Sequence, residues 1–138
     1  MSPTAAGYSG TPLARKLGID EGSHVLALDA PADYRKMLAP VPANVSFTTS
    51  LSLHVDVIHL FVDRQATLEK RLSSLRNKIR PDAALWVSWP KKASKVATDV
   101  NEDSIRSAAL PMGFVDVKVC AVSEIWSGLK LVIRKELR

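Results

Sequence analysis

Glycine is missing from the middle of this chain. Its six glycines lie at positions 7, 10, 18, 22, 113 and 128, so none falls between Gly22 and Gly113. That interval holds most of the segments that predict alternating strands and helices, and folds of this kind use glycine-rich turns to bring the backbone close to a phosphate or cofactor. The ordinary glycine-rich loops are therefore excluded here, and the sequence by itself names no reaction.

Cysteine and long hydrophobic runs are scarce as well. Cys120 is the only cysteine, which excludes an intrachain disulfide and a thiol cluster for zinc. It follows Val119 in an apparent strand, a position that predicts core packing rather than a reactive thiol. The apolar stretches around Val25 and Val57 are only as long as a strand, which is too short to cross a bilayer.

Targeting signals and metal-ligand patterns are also lacking. Residues 1–10 have neither the basic start nor the apolar stretch of a secretory signal, so we expect a cytoplasmic location. The histidines, at positions 24, 54 and 59, stand singly without a second ligand at a fixed spacing, so we expect no metal site. His59 has apolar neighbours along its strand, which favours a core or sheet-face histidine over a catalytic one.

The composition indicates one soluble globular domain. The chain has 138 residues, of which 46% are hydrophobic and 24% are charged, enough for one domain over residues 1–138 with one substantial core. The net charge of +5 is uneven: residues 1–63 carry four basic and six acidic side chains, and residues 64–138 carry fifteen and eight. An anionic partner is therefore expected to contact the second half.

Hydrophobic periodicity predicts alternating strands and helices. Strands are predicted at 24–29, 44–49, 55–62 and 83–89, and helices at 11–18, 31–38, 68–79 and from a capping-box pattern at Asp99 and Glu102 through Ala109. Only about five residues join the strands at 44–49 and 55–62, too few for a crossover between neighbouring parallel strands. Strands at 114–122 and 129–135 suit an antiparallel hairpin. The order predicts a small, open, Rossmann-like α/β sheet that is mostly parallel, with a C-terminal antiparallel hairpin.

Particular segments carry two resemblances. From Asp56 onward, the order of elements and the segment Ala108–Phe114 resemble the second half of class I methyltransferases that use S-adenosylmethionine. Over the whole chain, the segments Trp86–Lys92, Val117–Val122 and Trp126–Lys130 resemble an uncharacterised bacterial domain-of-unknown-function family. The first resemblance implies a Rossmann-like fold and S-adenosylmethionine as cofactor, whereas the second implies no activity.

The cofactor motif of those methyltransferases is absent. Where they place a glycine-rich turn after the first strand, this chain has Asp29, Ala30 and Pro31, and proline also removes an amide donor. The acidic residue that holds the ribose at the end of their second strand has no counterpart in residues 45–50. We therefore expect no cofactor to bind by the ordinary route.

The carboxyl ends of the predicted strands give the candidate ligand site, because open α/β sheets bind ligands there. Lysines would supply positive charge for a phosphate or carboxylate, and a tryptophan would offer a flat stacking face, a pairing suited to nucleotides or single-stranded nucleic acid. The alternative is a solvated lysine loop with tryptophans that cover the rim of the core. The candidate ligand-binding residues are Lys91, Lys92, Lys95, Trp89, Trp126 and Asp29.

Three further features each have a functional and a structural interpretation. Asp29 could serve as a general base or hydroxyl acceptor, but we favour its capping the helix that follows. The segment Ser9–Pro12 could hold an anion at a helix start, but capping is the better interpretation. Ser88 lacks the flanking glycines of a nucleophile elbow, so a hydrolase triad is not expected.

The predicted function is a small binding or regulatory module. It would recognise an anionic small molecule or nucleotide at the carboxyl edge of the sheet, with nucleic acid as a less favoured partner and no membrane. A methyltransferase-like enzyme with an atypical cofactor pocket is one alternative. The other is a structural homodimer whose terminal hairpins pair between subunits.

Overall fold

The computed structural model describes residues 10–138, so the expectations for residues 1–9, including the missing secretory signal and the anion-holding role of Ser9, lie outside it. The strands of this part are β1 His24–Leu28, β2 Ser46–Thr48, β3 Val57–Phe61, β4 Ala84–Pro90, β5 Phe114–Ala121 and β6 Trp126–Ile133. Its α-helices are α1 Leu13–Lys16, α2 Tyr34–Leu38, α3 Gln65–Arg76 and α4 Glu102–Ala109.

All six strands belong to one sheet with the order β2-β1-β3-β4-β6-β5. The first four of these are parallel to one another, and β6 is antiparallel to both β4 and β5. The predicted Rossmann-like α/β class, with a mostly parallel sheet and a C-terminal antiparallel hairpin, is therefore confirmed. β1 separates β2 from β3, which confirms that these two strands are not neighbours.

The chain returns from β2 to β3 without a helix. Residues 49–56 make this connection, and Leu51 and Val55 pack in the core cluster that also contains Leu26 of β1 and Leu72 of α3. Because a parallel crossover usually contains a helix, this coil segment takes the helix's place over that part of the sheet.

Side chains cover both faces of the sheet. α3 and α4 cover one face, and α1 and α2 cover the other. Successive side chains of a strand point to opposite faces, so β4 places Val87 and Trp89 beneath α3 and α4, and Trp86 beneath α1 and α2. The indole Nε1 of Trp86 donates a hydrogen bond to the carbonyl oxygen of Leu17 at 2.9 Å. This double coverage explains the nearly continuous apolar runs of the central strands.

The capping box predicted at the start of α4 is wrong by two residues. Asn101, not Asp99, occupies the N-cap position, and its side chain accepts a hydrogen bond from the Ser104 amide while the Ser104 hydroxyl accepts one from the Asn101 amide. The carboxylate of Asp99 instead accepts a hydrogen bond from the Gln65 amide at 2.7 Å and so stabilises the start of α3. The spacing of Asp99 and Glu102 matches a capping box, but α4 begins only at Glu102, so Asp99 lies outside its N-cap position.

The remaining boundaries differ modestly from the predictions. α3 begins earlier and ends at Arg76, so Ile79 is buried in the turn that follows the helix. Pro12, predicted as the first helical residue, occupies the N-cap of α1 and itself makes no side-chain capping hydrogen bond. Between residues 10 and 138, no helix is long and apolar enough to span a bilayer.

β5 forms one edge of the sheet. Its pairing with β6 is irregular between Asp116 and Lys118, where Val117 is displaced and half exposed. Irregularities of this kind interrupt regular pairing along an exposed edge, which disfavours pairing with a second chain at this point. Pairing of terminal hairpins between two subunits stays a prediction.

Candidate functional site

The carboxyl edge of the parallel strands brings two distant segments together. Pro90, at the end of β4, pairs with Trp126 at the start of β6. The amide of Lys91 donates a hydrogen bond to the carbonyl oxygen of Ile125 at 2.7 Å. The lysine loop, residues 91–95, thus lies against the β5–β6 turn, as the sequence predicts.

The two predicted tryptophans do not face the same side of the sheet. Trp89 packs in the cluster beneath α3 and α4 and is 8% exposed, so its ring offers no free face for stacking. Trp126 is half buried and packs on the opposite side. The sequence indicates that both residues lie near the end of β4, but strand alternation places their rings on different faces. Of the two, Trp126 alone can offer a stacking face.

The lysine loop is held by its own hydrogen bonds. Lys92–Ser94 form a 3-10 turn, and the Ser94 hydroxyl donates to the carbonyl oxygen of Lys91 at 2.6 Å. Lys92 and Lys95 are exposed, and Lys91 is half buried. None of these lysines belongs to an ion pair with another residue of the described part, 10–138. Their charges are therefore available to a ligand.

Asp29 does not cap α2, contrary to the preferred interpretation. The N-cap residue of α2 is Asp33. Asp29 has a left-handed backbone with φ of 59°, and its carboxylate accepts a hydrogen bond from Arg71 Nη2 of α3 at 2.8 Å. Half-exposed ion pairs contribute little to stability, so this one chiefly orients the turn that follows β1.

A pocket of about 280 Å³ opens at the same edge, on the α2 side of the sheet. We call it the Trp126 pocket. The turn after β1 and α2 form one wall, and the β5–β6 turn forms the other. It is lined by Pro31, Asp33, Met37, Ser123, Glu124, Ile125 and Trp126.

The charged groups of this pocket are carboxylates. Asp33 and Glu124 are both exposed at its mouth, and within residues 10–138 neither forms an ion pair. Sequence reasoning missed Asp33 and Met37 because the order of elements does not show which face of a short helix turns toward a neighbouring loop. The lysines stand beside the pocket rather than in its lining. The pocket thus suits a neutral or cationic group, and the loop beside it an anionic one.

Buried aromatic side chains lie behind the lining of the pocket and contact it through Trp126. The ring of Phe61 stacks on His59 at a centroid distance of 4.3 Å, and it meets Trp126 edge-on at 5.0 Å. Tyr34, at the start of α2, also meets Phe61 edge-on, at 5.5 Å. Both walls of the pocket therefore contact the same aromatic cluster, which consists of Tyr34, His59, Phe61 and Trp126.

His59 uses both ring nitrogens inside this cluster. Nδ1 lies 2.8 Å from the Tyr34 hydroxyl, and Nε2 lies 2.7 Å from the Ser88 hydroxyl. His59 and Ser88 are 0% exposed, which confirms the predicted core histidine. Burial lowers the pKa of His59 to about 3 and raises that of Tyr34. The serine and histidine resemble part of a hydrolytic triad, but no substrate can reach them.

The positions at which methyltransferases ordinarily hold S-adenosylmethionine do not fit the cofactor here. The turn after β1 contains no glycine, Asp29 has the left-handed conformation, and Pro31 provides no amide donor. After β2, Thr48 and Ser50 take the place where a carboxylate would bind the ribose. Carboxylates do lie near this edge, but at other positions: Asp29 is paired with Arg71, and Asp33 and Glu124 belong to the Trp126 pocket.

The remaining candidates do not add a second centre. Burial raises the pKa of the Cys120 thiol, which disfavours a reactive thiolate. Across residues 10–138, no group of three or more histidine, cysteine, aspartate and glutamate side chains is arranged to hold a metal ion.

The sheet order and the hairpin define the chain as an α/β protein with the Rossmann-like fold of class I methyltransferases. It is similar to an S-adenosylmethionine-dependent methyltransferase from Aquifex aeolicus, with a TM-score of 0.60 and 17% identity over 88% of each chain. It is also similar to magnesium protoporphyrin IX methyltransferase from Synechocystis PCC 6803, solved with bound S-adenosylmethionine, with a TM-score of 0.60 and 14% identity over 88% of this chain and 74% of that one.

A protein of the NADB-Rossmann superfamily from Streptococcus agalactiae gives a TM-score of 0.57 and 10% identity over 94% of this chain and 71% of that one. Identities of this size show the fold alone. No protein-family model and no curated protein matches the sequence.

Proposed function

We propose that this chain is a methyltransferase-like protein that binds an S-adenosyl compound in the Trp126 pocket. The observation that carries the proposal is the position of the pocket. It opens at the carboxyl edge of a methyltransferase-type sheet, directly beside the turn that follows β1, and ligands of open α/β sheets bind at that edge. The pocket offers side chains, not glycine amides, as ligand-binding groups.

The chemistry of the lining supports an adenosyl ligand. Trp126 can stack on a purine or contact a sulfonium through its ring face. The carboxylates of Asp33 and Glu124 can accept hydrogen bonds from ribose hydroxyls or from the ammonium of the amino-acid moiety. Met37 supplies an adaptable apolar contact. At about 280 Å³, the pocket is near the lower end of small-molecule sites, roughly 300 Å³, so part of the ligand would remain in solvent.

Thermal unfolding with S-adenosylmethionine, S-adenosylhomocysteine and ATP tests this proposal. A ligand that binds only the folded state stabilises it by about 2.7 kcal/mol at a concentration one hundred times its Kd. We expect the two S-adenosyl compounds to raise the Tm and to quench tryptophan emission, and ATP to do neither. Absence of any Tm shift at millimolar S-adenosylmethionine would refute the proposal.

Two matched glutamate substitutions test whether the ligand binds in the Trp126 pocket. Glu124→Gln removes a charge from the pocket, whereas Glu136→Gln removes one from the exposed C-terminal segment. Loss of one charge-assisted hydrogen bond of about 1.5 kcal/mol weakens binding about tenfold. We expect this change in Glu124→Gln and wild-type affinity in Glu136→Gln. Equal affinities in the two variants would place the ligand elsewhere.

A second candidate function is the binding of an anionic small molecule or nucleotide by the lysine loop, and of nucleic acid as a less favoured partner. It is favoured by the hydrogen bond between the Lys91 amide and the Ile125 carbonyl oxygen, which places beside Trp126 three lysines that form no ion pair within residues 10–138. Affinity for nucleotides or oligonucleotides should then fall steeply with salt. It should be lost when Lys91, Lys92 and Lys95 are replaced by alanine, and kept when Lys36, Lys78 and Lys135 are.

A further inference from the structure

The α2 wall of the Trp126 pocket is too short to hold itself in place. α2 has five residues, and isolated helices shorter than about 12 residues are marginal in water. Its buried side chains are Tyr34 and Leu38. The position of α2 over the sheet is therefore set by what these two side chains contact.

Tyr34 is tied to the sheet by a directional chain of hydrogen bonds. Its hydroxyl lies 2.8 Å from His59 Nδ1 on β3, and His59 Nε2 lies 2.7 Å from the Ser88 hydroxyl on β4. A neutral imidazole has one donor and one acceptor, so one hydroxyl must donate to it and the other must accept from it. These two hydrogen bonds therefore join α2, β3 and β4 in one fixed arrangement.

The opposite wall rests on the same residues. Phe61 stacks on His59 and meets both Tyr34 and Trp126 edge-on. A shift of α2 would therefore change the packing of Phe61 against Trp126. Since protein interiors are close-packed, small displacements of this kind are transmitted rather than absorbed.

We infer that Tyr34 and His59 are positioning residues, which hold α2 at the separation from the β5–β6 turn that the ligand requires. Neither lines the pocket. They act through Asp33, which directly precedes Tyr34, and Met37, three residues after it; both of these line the pocket. The inference takes its ligand from the proposed function, but the position of α2 is measurable without any ligand.

The variant Tyr34→Phe tests the inference, because it removes the hydroxyl and keeps the ring. We expect the amides of Met37 and Ala39, both hydrogen-bonded within α2, to exchange with solvent faster while those of β3 and β4 remain protected. Acrylamide should quench the tryptophan fluorescence more efficiently, because a displaced α2 leaves Trp126 less covered. The change reports on Trp126, since Trp86 and Trp89 are buried. A lost hydrogen bond of about 1 kcal/mol predicts a Kd for S-adenosylmethionine raised about fivefold.

Thr98→Val is the matched control. It also deletes one hydroxyl, which donates to the carbonyl oxygen of Asp63 at 2.7 Å, away from the Trp126 pocket. We expect wild-type exchange in α2, wild-type quenching and wild-type affinity in this variant.

The inference is overturned if Tyr34→Phe leaves α2 exchange, quenching or affinity at the wild-type value, or if Thr98→Val changes them equally. If wild-type protein binds no S-adenosyl compound, the proposed function fails. Exchange and quenching of the free protein then decide the positioning role by themselves.

Discussion

The buried imidazole of His59 should make the protein sensitive to mild acid. In the folded state its pKa is lowered from 6.5 to about 3 because the side chain is fully buried. Between those two pKa values the unfolded chain binds a proton that the folded chain does not. The free energy of unfolding is therefore unaffected by His59 above about pH 6.5 and decreases as the pH falls from there toward 3. The limiting slope is about 1.4 kcal/mol per pH unit.

The expected loss is large enough to measure. Between about pH 7.5 and about pH 5, the linkage relation gives a decrease of about 2 kcal/mol in the free energy of unfolding. Aspartate and glutamate side chains remain mostly ionised over this range, so the change isolates histidine. Urea denaturation at a series of pH values would measure it.

The comparison that decides this prediction uses two variants. His59→Gln keeps a hydrogen-bond donor and acceptor but does not titrate, so we expect it to be less stable at neutral pH and to lose the slope attributed to His59. His54→Gln makes the same replacement at an exposed position and is the control for the substitution itself. An unchanged slope in His59→Gln would refute the reasoning, because it would show that His59 is not held neutral by burial.

Three further substitutions test the packing around the site. Gly128→Ala should destabilise by about 1–3 kcal/mol in urea denaturation, since the added Cβ would lie 3.0 Å from Val122 Cγ2 and 3.3 Å from Trp86 Cε3, and both side chains are buried and have little room to yield; a neutral effect would show that they can. Trp86→Phe should cost about 1–3 kcal/mol in the same assay because it leaves the buried Leu17 carbonyl without its donor. Asp29→Gly should be better tolerated than Asp29→Ala, because only glycine adopts the φ of 59° without strain; equal Tm values would contradict that reasoning.

The fold was readable from the sequence because its signals are local. Apolar runs at β1, β3 and β4 and the separation of the last two strands suffice to predict a parallel sheet with a hairpin. Boundaries were less secure where two capping residues compete, as Asp99 and Asn101 do before α4. The helix-free return from β2 to β3 could not be predicted, because nothing local shows that Leu51 and Val55 reach the core.

The candidate site was only partly readable because its contacts join residues far apart in the chain. The sequence placed Trp126 beside the lysine loop but did not reveal that Trp89 faces the other way. The partners of His59 lie 25 and 29 residues away, and no spacing rule connects them. Hydrophobic neighbours identified a buried histidine, but only the structure identified what it holds.

The missing glycines and the position of the pocket have a common explanation. A turn in which Asp29 is bound by Arg71 and Pro31 has no amide proton cannot wrap closely around a ligand. In the proposed function, recognition at this edge therefore relies on side chains that project from α2 and from the β5–β6 turn. Side chains need a rigid base, and the buried cluster of Tyr34, His59 and Phe61 provides one. The hydrogen bonds that join Tyr34, His59 and Ser88 form a polar network in the core, which is costly if any member lacks a partner. Its role in the proposed function is to fix the side chains of a site that the backbone does not form.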